Sequence, residues 1–321
     1  MKLKQLISLS KSNLQKSNIE DFNLKIKLLI EYVFDIKKEQ IILNYDREID
    51  EDKVLEFNNL LEKVKNGVPV QYIINKQEFM GLNFYVDENV LIPQPDTEIL
   101  VEEVIKYCNI IRNVNKTTYE KRENDYEDKK QEKTKEENIK NNLIIEKIKQ
   151  DNINSKIKIL DLCTGSGIIG ISIYKYLENV EIYASDISQK ALEIANENAK
   201  NNNAKINFIN SNMFENIKEK DFDIIVSNPP YIESSVIKKL SKEVQNEPRL
   251  ALDGGEDGLD FYRIILENAS KYLNEDGFLF LEIGYNQKEK LEELFNNNNL
   301  YKNIKCVKDL SGNDRVIIIK K

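Results

Sequence analysis

Residues 227–231 read Ser-Asn-Pro-Pro-Tyr and follow an apolar stretch, Phe-Asp-Ile-Ile-Val, at 222–226. The two prolines fix their own φ angles and donate no N–H, and Pro229 also restricts Asn228 before it. The Asn228 side-chain oxygen and the Pro229 carbonyl are therefore expected to form two rigid hydrogen-bond acceptors. Together they could hold both hydrogens of an amide or aryl NH2 group and aim its nitrogen at an electrophile. The catalytic candidates are Asn228, Pro229 and Tyr231, and the substrate-binding candidates are these three residues with Pro230.

A second candidate site lies upstream, where residues 159–167 read Ile-Leu-Asp-Leu-Cys-Thr-Gly-Ser-Gly and a helical stretch follows at 168–177. A strand running into such a glycine turn lets the backbone approach a ligand closely and presents N–H groups at the start of a helix. Asp186 ends the next predicted strand, where a carboxylate commonly accepts both hydrogen bonds of a ribose diol. Asp161 lies before the glycines and would face the methionine end of S-adenosylmethionine rather than a pyrophosphate. The segment therefore favours S-adenosylmethionine as the cofactor.

The glycine spacing leaves a different cofactor open. Gly165, Gly167 and Gly170 also satisfy G-x-G-x-x-G, which is typical of nicotinamide and flavin dinucleotide sites. A dinucleotide-binding oxidoreductase or a non-catalytic sensor would explain this loop. Neither would explain the Asn-Pro-Pro-Tyr segment.

Composition narrows the chemistry further. The 321 residues include no histidine, which removes the commonest general base, Ser-His triads and most catalytic zinc sites. The three cysteines are scattered without Cys-x-x-Cys spacing, so we expect neither a disulfide framework nor a metal site. The formal net charge of −8 argues against broad, phosphate-driven binding of nucleic acid. We expect no signal peptide at the N-terminal apolar cluster, and no apolar run approaches the ~20 residues of a spanning helix, so we expect a cytoplasmic protein that does not bind membranes.

The N-terminal part of the chain is predicted to be helical, because its apolar residues recur at helical spacing from 3 to about 68. Ser17 and Glu20 have capping-box spacing, and Asp50 can cap the helix that follows it. Aromatic and β-branched residues then predict a hairpin linker, with strands at 79–86 and 90–92 around Asp87-Glu88-Asn89. The predicted boundaries are 1–75 for the helical domain, 76–97 for the linker and 98–321 for the remaining domain.

The remaining domain is predicted to be interrupted at about 113–155 by a charged, low-complexity insertion that is too polar to fold alone. Disorder and a solvated helical extension are equally open for it. After the insertion, strands and helices alternate, which predicts an α/β fold with a mostly parallel sheet and helices on both faces. Ligands bind at the carboxyl ends of the strands in such a sheet. The predicted strands are 157–162, 181–185, 206–210, 222–227, 278–283, 304–307 and 316–319.

The chain resembles the release factor glutamine methyltransferases, the PrmC/HemK family. The resemblance runs nearly end to end outside the insertion, and it is far more specific than Asn-Pro-Pro-Tyr alone, which DNA, RNA and protein N-methyltransferases share. Besides the two motifs, the similar segments are Pro-Val-Gln-Tyr-Ile at 69–73, Phe-Met-Gly-Leu at 79–82, Val-Leu-Ile-Pro-Gln-Pro-Asp-Thr-Glu at 90–98, Glu-Pro-Arg-Leu-Ala-Leu-Asp-Gly-Gly at 247–255, Asp-Gly-Leu at 257–259 and Asp-Arg at 314–315.

This resemblance implies a helical domain that docks the substrate protein, a hairpin linker and a seven-stranded class I, Rossmann-like methyltransferase domain. It implies methylation of the Gly-Gly-Gln glutamine of class I peptide chain release factors, with S-adenosylmethionine converted to S-adenosylhomocysteine. We separately expect the enzyme to be a monomer. Met213 would lie against the adenine, Asp186 would hold the ribose, and residues 163–167 would hold the methionine part. The full set of expected cofactor-binding residues is Asp161, Cys163, Thr164, Gly165, Ser166, Gly167, Asp186, Met213 and Asn228.

Four positions depart from the family pattern. Cys163 replaces the usual first glycine, which is tolerable if that position needs no positive φ, and Asn75 stands where glycine is common but accepts left-handed geometry. Gln94 replaces the arginine usual between the two prolines, and Asn212 replaces a common aspartate before Met213. The alternative from another class is an amino methyltransferase acting on DNA or RNA, which should carry a basic groove; the insertion here mixes both charge signs.

Overall fold

The protein is described by a computed structural model that covers residues 1–17, 19–110, 112 and 156–321. The predicted insertion at 113–155 lies outside the described residues. The chain divides into two compact units, one of Met1–Pro93 with Pro230–Leu259 and the other of Gln94–Pro229 with Asp260–Lys321. Residues 230–259, which the sequence assigns to the methyltransferase domain, thus group with the N-terminal residues. The boundaries at 75 and 97 stay a prediction.

The first unit is built on helices α1 (Leu3–Lys16), α2 (Phe22–Phe34), α3 (Glu51–Lys65) and α4 (Val70–Ile74), with short 3-10 turns at Lys38–Gln40 and Ile42–Asn44. Their apolar faces meet in one core, as the helical spacing predicts. Asp50 caps α3 by accepting from two backbone N–H groups. The capping box at Ser17 was wrong, because Ser17 ends α1 and α2 begins after Asp21, whose backbone is left-handed.

The hairpin has different strands from those predicted. Strands β1 (Gln77–Phe79) and β2 (Leu82–Phe84) pair directly, and Met80 and Gly81 form the turn with φ of 50° and 66°. Two consecutive positive φ angles are the geometry of a tight hairpin turn. The predicted turn at residues 87–89 is instead a local loop in which Asp87 accepts from the Asn89 backbone, and residues 90–92 form no strand.

The second unit contains the seven-stranded sheet. Its strands are β3 (Ile157–Leu162), β4 (Val180–Asp186), β5 (Ile206–Asn210), β6 (Phe222–Ser227), β7 (Leu273–Glu282), β8 (Lys302–Lys308) and β9 (Asp314–Lys320). The order is β5-β4-β3-β6-β7-β9-β8, and only the pairs that involve β9 are antiparallel. The predicted mostly parallel sheet is confirmed, although β7 begins five residues earlier than its predicted start at 278.

Helices accompany the sheet strands in the second unit. They are α5 (97–110), α6 (Ile168–Tyr176), α7 (Gln189–Asn201), α11 (Asp260–Asn268) and α12 (Lys288–Asn296). Short helices α8 (Ser234–Ile237), α9 (Lys242–Gln245) and α10 (Arg249–Leu252) belong to the first unit. Among the helices described, none has the length and apolar character needed to cross a bilayer.

Candidate active site

The site residues of the second unit are brought together by the ends of neighbouring parallel strands. Leu162, the last residue of β3, is in register with Ser185 of β4 on one side and Ser227 of β6 on the other. The Ser227 hydroxyl donates to the Leu162 carbonyl at 2.6 Å. The loop that starts at Cys163 and the motif that starts at Asn228 therefore leave the sheet side by side.

Asp186, at the end of β4, holds the glycine loop by its carboxylate. Its Oδ2 accepts from the Gly165 backbone N–H at 2.9 Å, and its Oδ1 accepts from that of Ser188 at 2.8 Å. A carboxylate offers about four acceptor sites, so these backbone bonds leave Asp186 able to accept from a ribose hydroxyl as well. Partial burial raises the pKa of this carboxyl group, while the backbone N–H donors act in the opposite direction.

Asp161 is fully buried within β3, and its carboxyl group forms hydrogen bonds with the segment that follows this strand. Its Oδ2 accepts from the Thr164 hydroxyl at 2.5 Å and from the Gly170 backbone at 3.0 Å. Its Oδ1 has no hydrogen-bond partner among the described residues. Burial raises the pKa of Asp161 to about 7. One oxygen of this carboxylate is thus committed to the protein, and the other is left for a ligand.

The three glycines of the loop have different tasks. A Cβ added at Gly165 would meet nothing within 4 Å, and its φ is +55°. A Cβ at Gly167 would lie 2.9 Å from the Ile171 side chain, and one at Gly170 would lie 3.2 Å from Asp161 Oδ2. Gly167 and Gly170 therefore serve the close packing of α6, and Gly165 is the position at which the backbone is open to a ligand. Thr164, directly before Gly165, and Ser166, between Gly165 and Gly167, are both buried.

Cys163 in place of the usual glycine was expected to be tolerable if the position needs no positive φ. The φ of Cys163 is 62°, so this condition is not met. Its Sγ lies 3.8 Å from the Sδ of Met213. Burial raises the pKa of the Cys163 thiol, which stays protonated. Met213 is buried and also left-handed, with φ of 48°. The Nδ2 of Asn212, the residue before Met213, donates to the Glu215 Oε1 at 2.8 Å. This contact is local and does not involve the glycine loop.

Asn228, directly after β6, is partly buried, and Pro229 is buried. The Asn228 Nδ2 donates to the hydroxyl of Thr97 at 3.2 Å, so this contact leaves the Oδ1 available as an acceptor. Sequence reasoning did not single out Thr97, although it lies in the family-like segment 90–98.

Pro230 and Tyr231 belong to the first unit, where the segment 252–255 runs beside them. Ile232 N–H donates to the Leu252 carbonyl at 3.0 Å, and Gly254 N–H donates to the Ile232 carbonyl at 2.8 Å. A Cβ added at Gly254 would lie 2.8 Å from the Pro230 oxygen and from the Tyr231 Cα. The family-like Asp-Gly-Gly segment thus supports the backbone of the motif.

Comparison with known proteins shows the family to which the chain belongs. Residues 5–74 match the family description PrmC N-terminal domain, and residues 136–256 match Methyltransferase small domain. The release factor glutamine methyltransferase of Clostridium acetobutylicum is 35% identical over 99% of this chain and 98% of its own. The one from Clostridium botulinum is 36% identical over the full length of both chains. The chain belongs to the release factor glutamine methyltransferase family.

The bifunctional methyltransferase of Rickettsia felis is 37% identical over 98% of this chain, which spans 57% of that longer protein. In the present chain, Asn75 stands where the family commonly has glycine, and its backbone is left-handed, with φ of 50°. Within the described residues, no group of three or more Cys, Asp or Glu side chains could hold a metal ion.

The residues of this family member fit S-adenosylmethionine. The unpartnered Oδ1 of Asp161 is a buried acceptor suited to an ammonium group, and the remaining acceptor capacity of Asp186 suits a ribose hydroxyl. The open side of Gly165 leaves room for a ligand beside Asp186, whose Oδ2 accepts from the Gly165 N–H at 2.9 Å.

Proposed function

We propose that this chain transfers a methyl group from S-adenosylmethionine to the N5 side-chain nitrogen of the glutamine in the Gly-Gly-Gln motif of class I peptide chain release factors, with S-adenosylhomocysteine as the second product. The observation that carries the proposal is the placement of Asn228 and Pro229 directly beside the glycine loop, at the ends of β6 and β3. The full-length similarity to release factor glutamine methyltransferases supports the choice of substrate.

The chemistry asked of the protein is mainly positioning. The lone pair of a glutamine amide is delocalised, so the nitrogen is a poor nucleophile until both of its hydrogens are held and it is aimed. The Asn228 Oδ1 and the Pro229 carbonyl are two acceptors on a backbone that the prolines restrict. As the nitrogen attacks, positive charge develops on it, and these oxygen dipoles stabilise that charge without reorganising. The N–CH3 bond would form as the CH3–S bond breaks, and one amide hydrogen would then leave as a proton, which water can accept because an N-protonated amide is a strong acid. The proposed reaction needs no imidazole base, and the chain has no histidine.

S-adenosylmethionine would supply an electrophilic methyl group bound to a sulfonium. Asp186 would accept from the ribose hydroxyls, Asp161 would face the ammonium of the methionine part, and Met213 would lie against the adenine. Gly165 would admit the ligand to the backbone, while Cys163, Thr164, Ser166 and Gly167 would shape the loop around the methionine part. Tyr231 and Pro230 would contact the glutamine side chain.

The proposal extends to the partner protein and to the cellular compartment in which the reaction occurs. We propose that the N-terminal helices, residues 1–75, dock the release factor, and that the enzyme acts as a monomer in the cytoplasm. An amino methyltransferase acting on DNA or RNA would use the same Asn-Pro-Pro-Tyr chemistry, so the test must offer both classes of substrate.

The test is transfer of label from S-adenosylmethionine carrying a labelled methyl group. Purified class I release factor, the same factor with its Gly-Gly-Gln glutamine changed to asparagine, total tRNA and duplex DNA are offered separately. We expect label only in the unaltered release factor, because asparagine is one methylene shorter and withdraws the amide. Label in tRNA or DNA, with none in the release factor, would replace the proposal with the nucleic-acid alternative.

A further inference from the structure

We infer that Thr97 is a positioning residue for methyl transfer, because its hydroxyl accepts from the Asn228 Nδ2 and so restrains the carboxamide in the orientation that leaves Oδ1 for the substrate. The inference rests on the proposed function for its catalytic consequence. It concerns the orientation of the Asn228 carboxamide, which the Asn-Pro-Pro-Tyr motif does not fix by itself. The two ends of a carboxamide have nearly the same shape, but only the oxygen accepts hydrogen bonds. With the amide turned round, an NH2 group would face the NH2 group of the substrate.

The contact itself is direct. Asn228 Nδ2 lies 3.2 Å from Thr97 Oγ1, across 131 residues of sequence. Thr97 is 1% exposed, so water does not compete freely for its hydroxyl oxygen. The backbone of Asn228 is fixed from the other side, since Ser227 is paired in register with both β3 and β7. The side-chain torsion of Asn228 is then the remaining freedom, and Thr97 limits it.

Thr97 is itself held in place at the start of α5. Its backbone N–H donates to the Gln94 carbonyl at 3.1 Å, so the turn before the helix is closed. The neighbouring Asp96 is paired with Arg315 of β9 at 3.1 Å, and Arg315 is also paired with Asp309 at 3.0 Å. The side chains of Arg315 and Asp309 are 11% and 1% exposed. The turn that carries Thr97 is therefore anchored to β9 rather than left as a free loop.

A simpler role must be distinguished from this one. Thr97 could merely fill space at the start of a helix, in which case its loss would weaken the fold and lower activity without any connection to Asn228. The two roles differ in what happens when Asn228 is already absent. Residues that act through one another are not additive in a double-mutant cycle, whereas independent residues are.

The experiment compares Thr97→Val, which keeps the shape and removes the acceptor, with Thr97→Ser, which keeps the hydroxyl. We expect Thr97→Val to lower the turnover of release factor methylation about 10-fold, the effect of losing one hydrogen bond. The KM for release factor and the affinity for S-adenosylmethionine should stay within about 2-fold, a change of under 0.5 kcal/mol. Thr97→Ser should restore most of the turnover. In an Asn228→Ala background, Thr97→Val should have no further effect on turnover.

An NMR measurement keeps the inference testable whatever the wild-type enzyme methylates. The side-chain NH2 protons of Asn228 should exchange with water faster in Thr97→Val than in the wild type or Thr97→Ser. Equal exchange in the three proteins would overturn the inference. So would an equal loss of turnover from Thr97→Val in the wild-type and Asn228→Ala backgrounds. If Thr97→Val is unfolded by circular dichroism, Thr97→Ala is put through the same comparison. Failure of the wild-type enzyme to methylate release factor would count against the proposed function and not against this contact.

Discussion

The Sγ of Cys163 lies 3.8 Å from the Sδ of Met213, and the backbones of both residues are left-handed. The contact joins the loop after β3 to the loop after β5, on either side of Asp186. A non-glycine residue in the left-handed region costs roughly 1–2 kcal/mol. The fold therefore keeps a strained residue where the family commonly has glycine, within the loop proposed to hold the methionine part of the ligand.

The first prediction follows from that strain. We expect Cys163→Gly to be more stable than Cys163→Ala by about 1 kcal/mol, because both variants lose the thiol and only glycine relieves the left-handed backbone. Urea unfolding of the two variants measures the difference. Alanine as stable as glycine at this position would mean that the strain at Cys163 is not significant in solution.

The second prediction concerns Asp186. Replacing it with alanine should weaken binding of S-adenosylmethionine by about 1.5–3 kcal/mol, since hydrogen bonds to a charged acceptor are lost. The same change frees the Gly165 N–H, so part of the loss comes from the loop itself. Isothermal calorimetry gives the affinity, and circular dichroism verifies the fold. A folded variant with unchanged affinity would remove Asp186 from the site.

The third prediction is a pH dependence caused by Asp161. Its pKa in the folded protein is raised to about 7, above the ordinary value near 3.8. Folding therefore favours the protonated form, and this contribution is complete below the ordinary pKa and lost as the pH rises through about 7. The loss is at most about 1.4 kcal/mol per pH unit. The Asp161→Asn variant has no ionisable group at this position, so its stability lacks this pH-dependent contribution.

The comparison uses urea unfolding of both proteins at about pH 5 and about pH 8. Wild type should lose more stability than Asp161→Asn over this interval. Burial also raises the pKa of Glu247 to about 7, but that group is common to both proteins and cancels in the difference. Equal losses would show that Asp161 does not titrate in this range.

The fourth prediction tests the support for the motif. Gly254→Ala should reduce turnover by at least about 10-fold, because the new methyl group meets the Pro230 and Tyr231 backbone at 2.8 Å and a small displacement of reacting groups is costly. Affinity for S-adenosylmethionine should change by less than about 2-fold. Steady-state kinetics and calorimetry separate the two. Wild-type turnover in this variant would show that the backbone around Tyr231 tolerates the shift.

Much of the sheet could be predicted from sequence because its strands are short apolar runs. Residues 157–162 and 222–227 were predicted with the observed ends. The early start of β7 was missed because Asn274, Glu275 and Asp276 are polar and Gly277 follows, a composition typical of a turn. The hairpin turn was misplaced because Met80 is a poor turn residue, and Asp87-Glu88-Asn89 looked more favourable.

The candidate site could be proposed from sequence where its residues are adjacent in the chain, but not where residues meet only through the fold. The glycine loop and the Asn-Pro-Pro-Tyr segment are continuous, so their spacing indicates their chemistry. The contact between Thr97 and Asn228 spans 131 residues and depends on where α5 begins. The positive φ of Cys163 is likewise a backbone property that its side chain disfavours, so composition could not indicate it.

The central claim is that Asn228 and Pro229 present a release factor glutamine amide for methylation. The most direct measurement is fragmentation mass spectrometry of the Gly-Gly-Gln peptide, after class I release factor has been incubated with S-adenosylmethionine and either the wild-type enzyme or Asn228→Ala. We expect the mass of one methyl group on the glutamine side chain with the wild type, and a rate lower by about 10²–10³-fold or more with Asn228→Ala. An unmodified glutamine after incubation with folded, cofactor-binding wild-type enzyme would contradict the account.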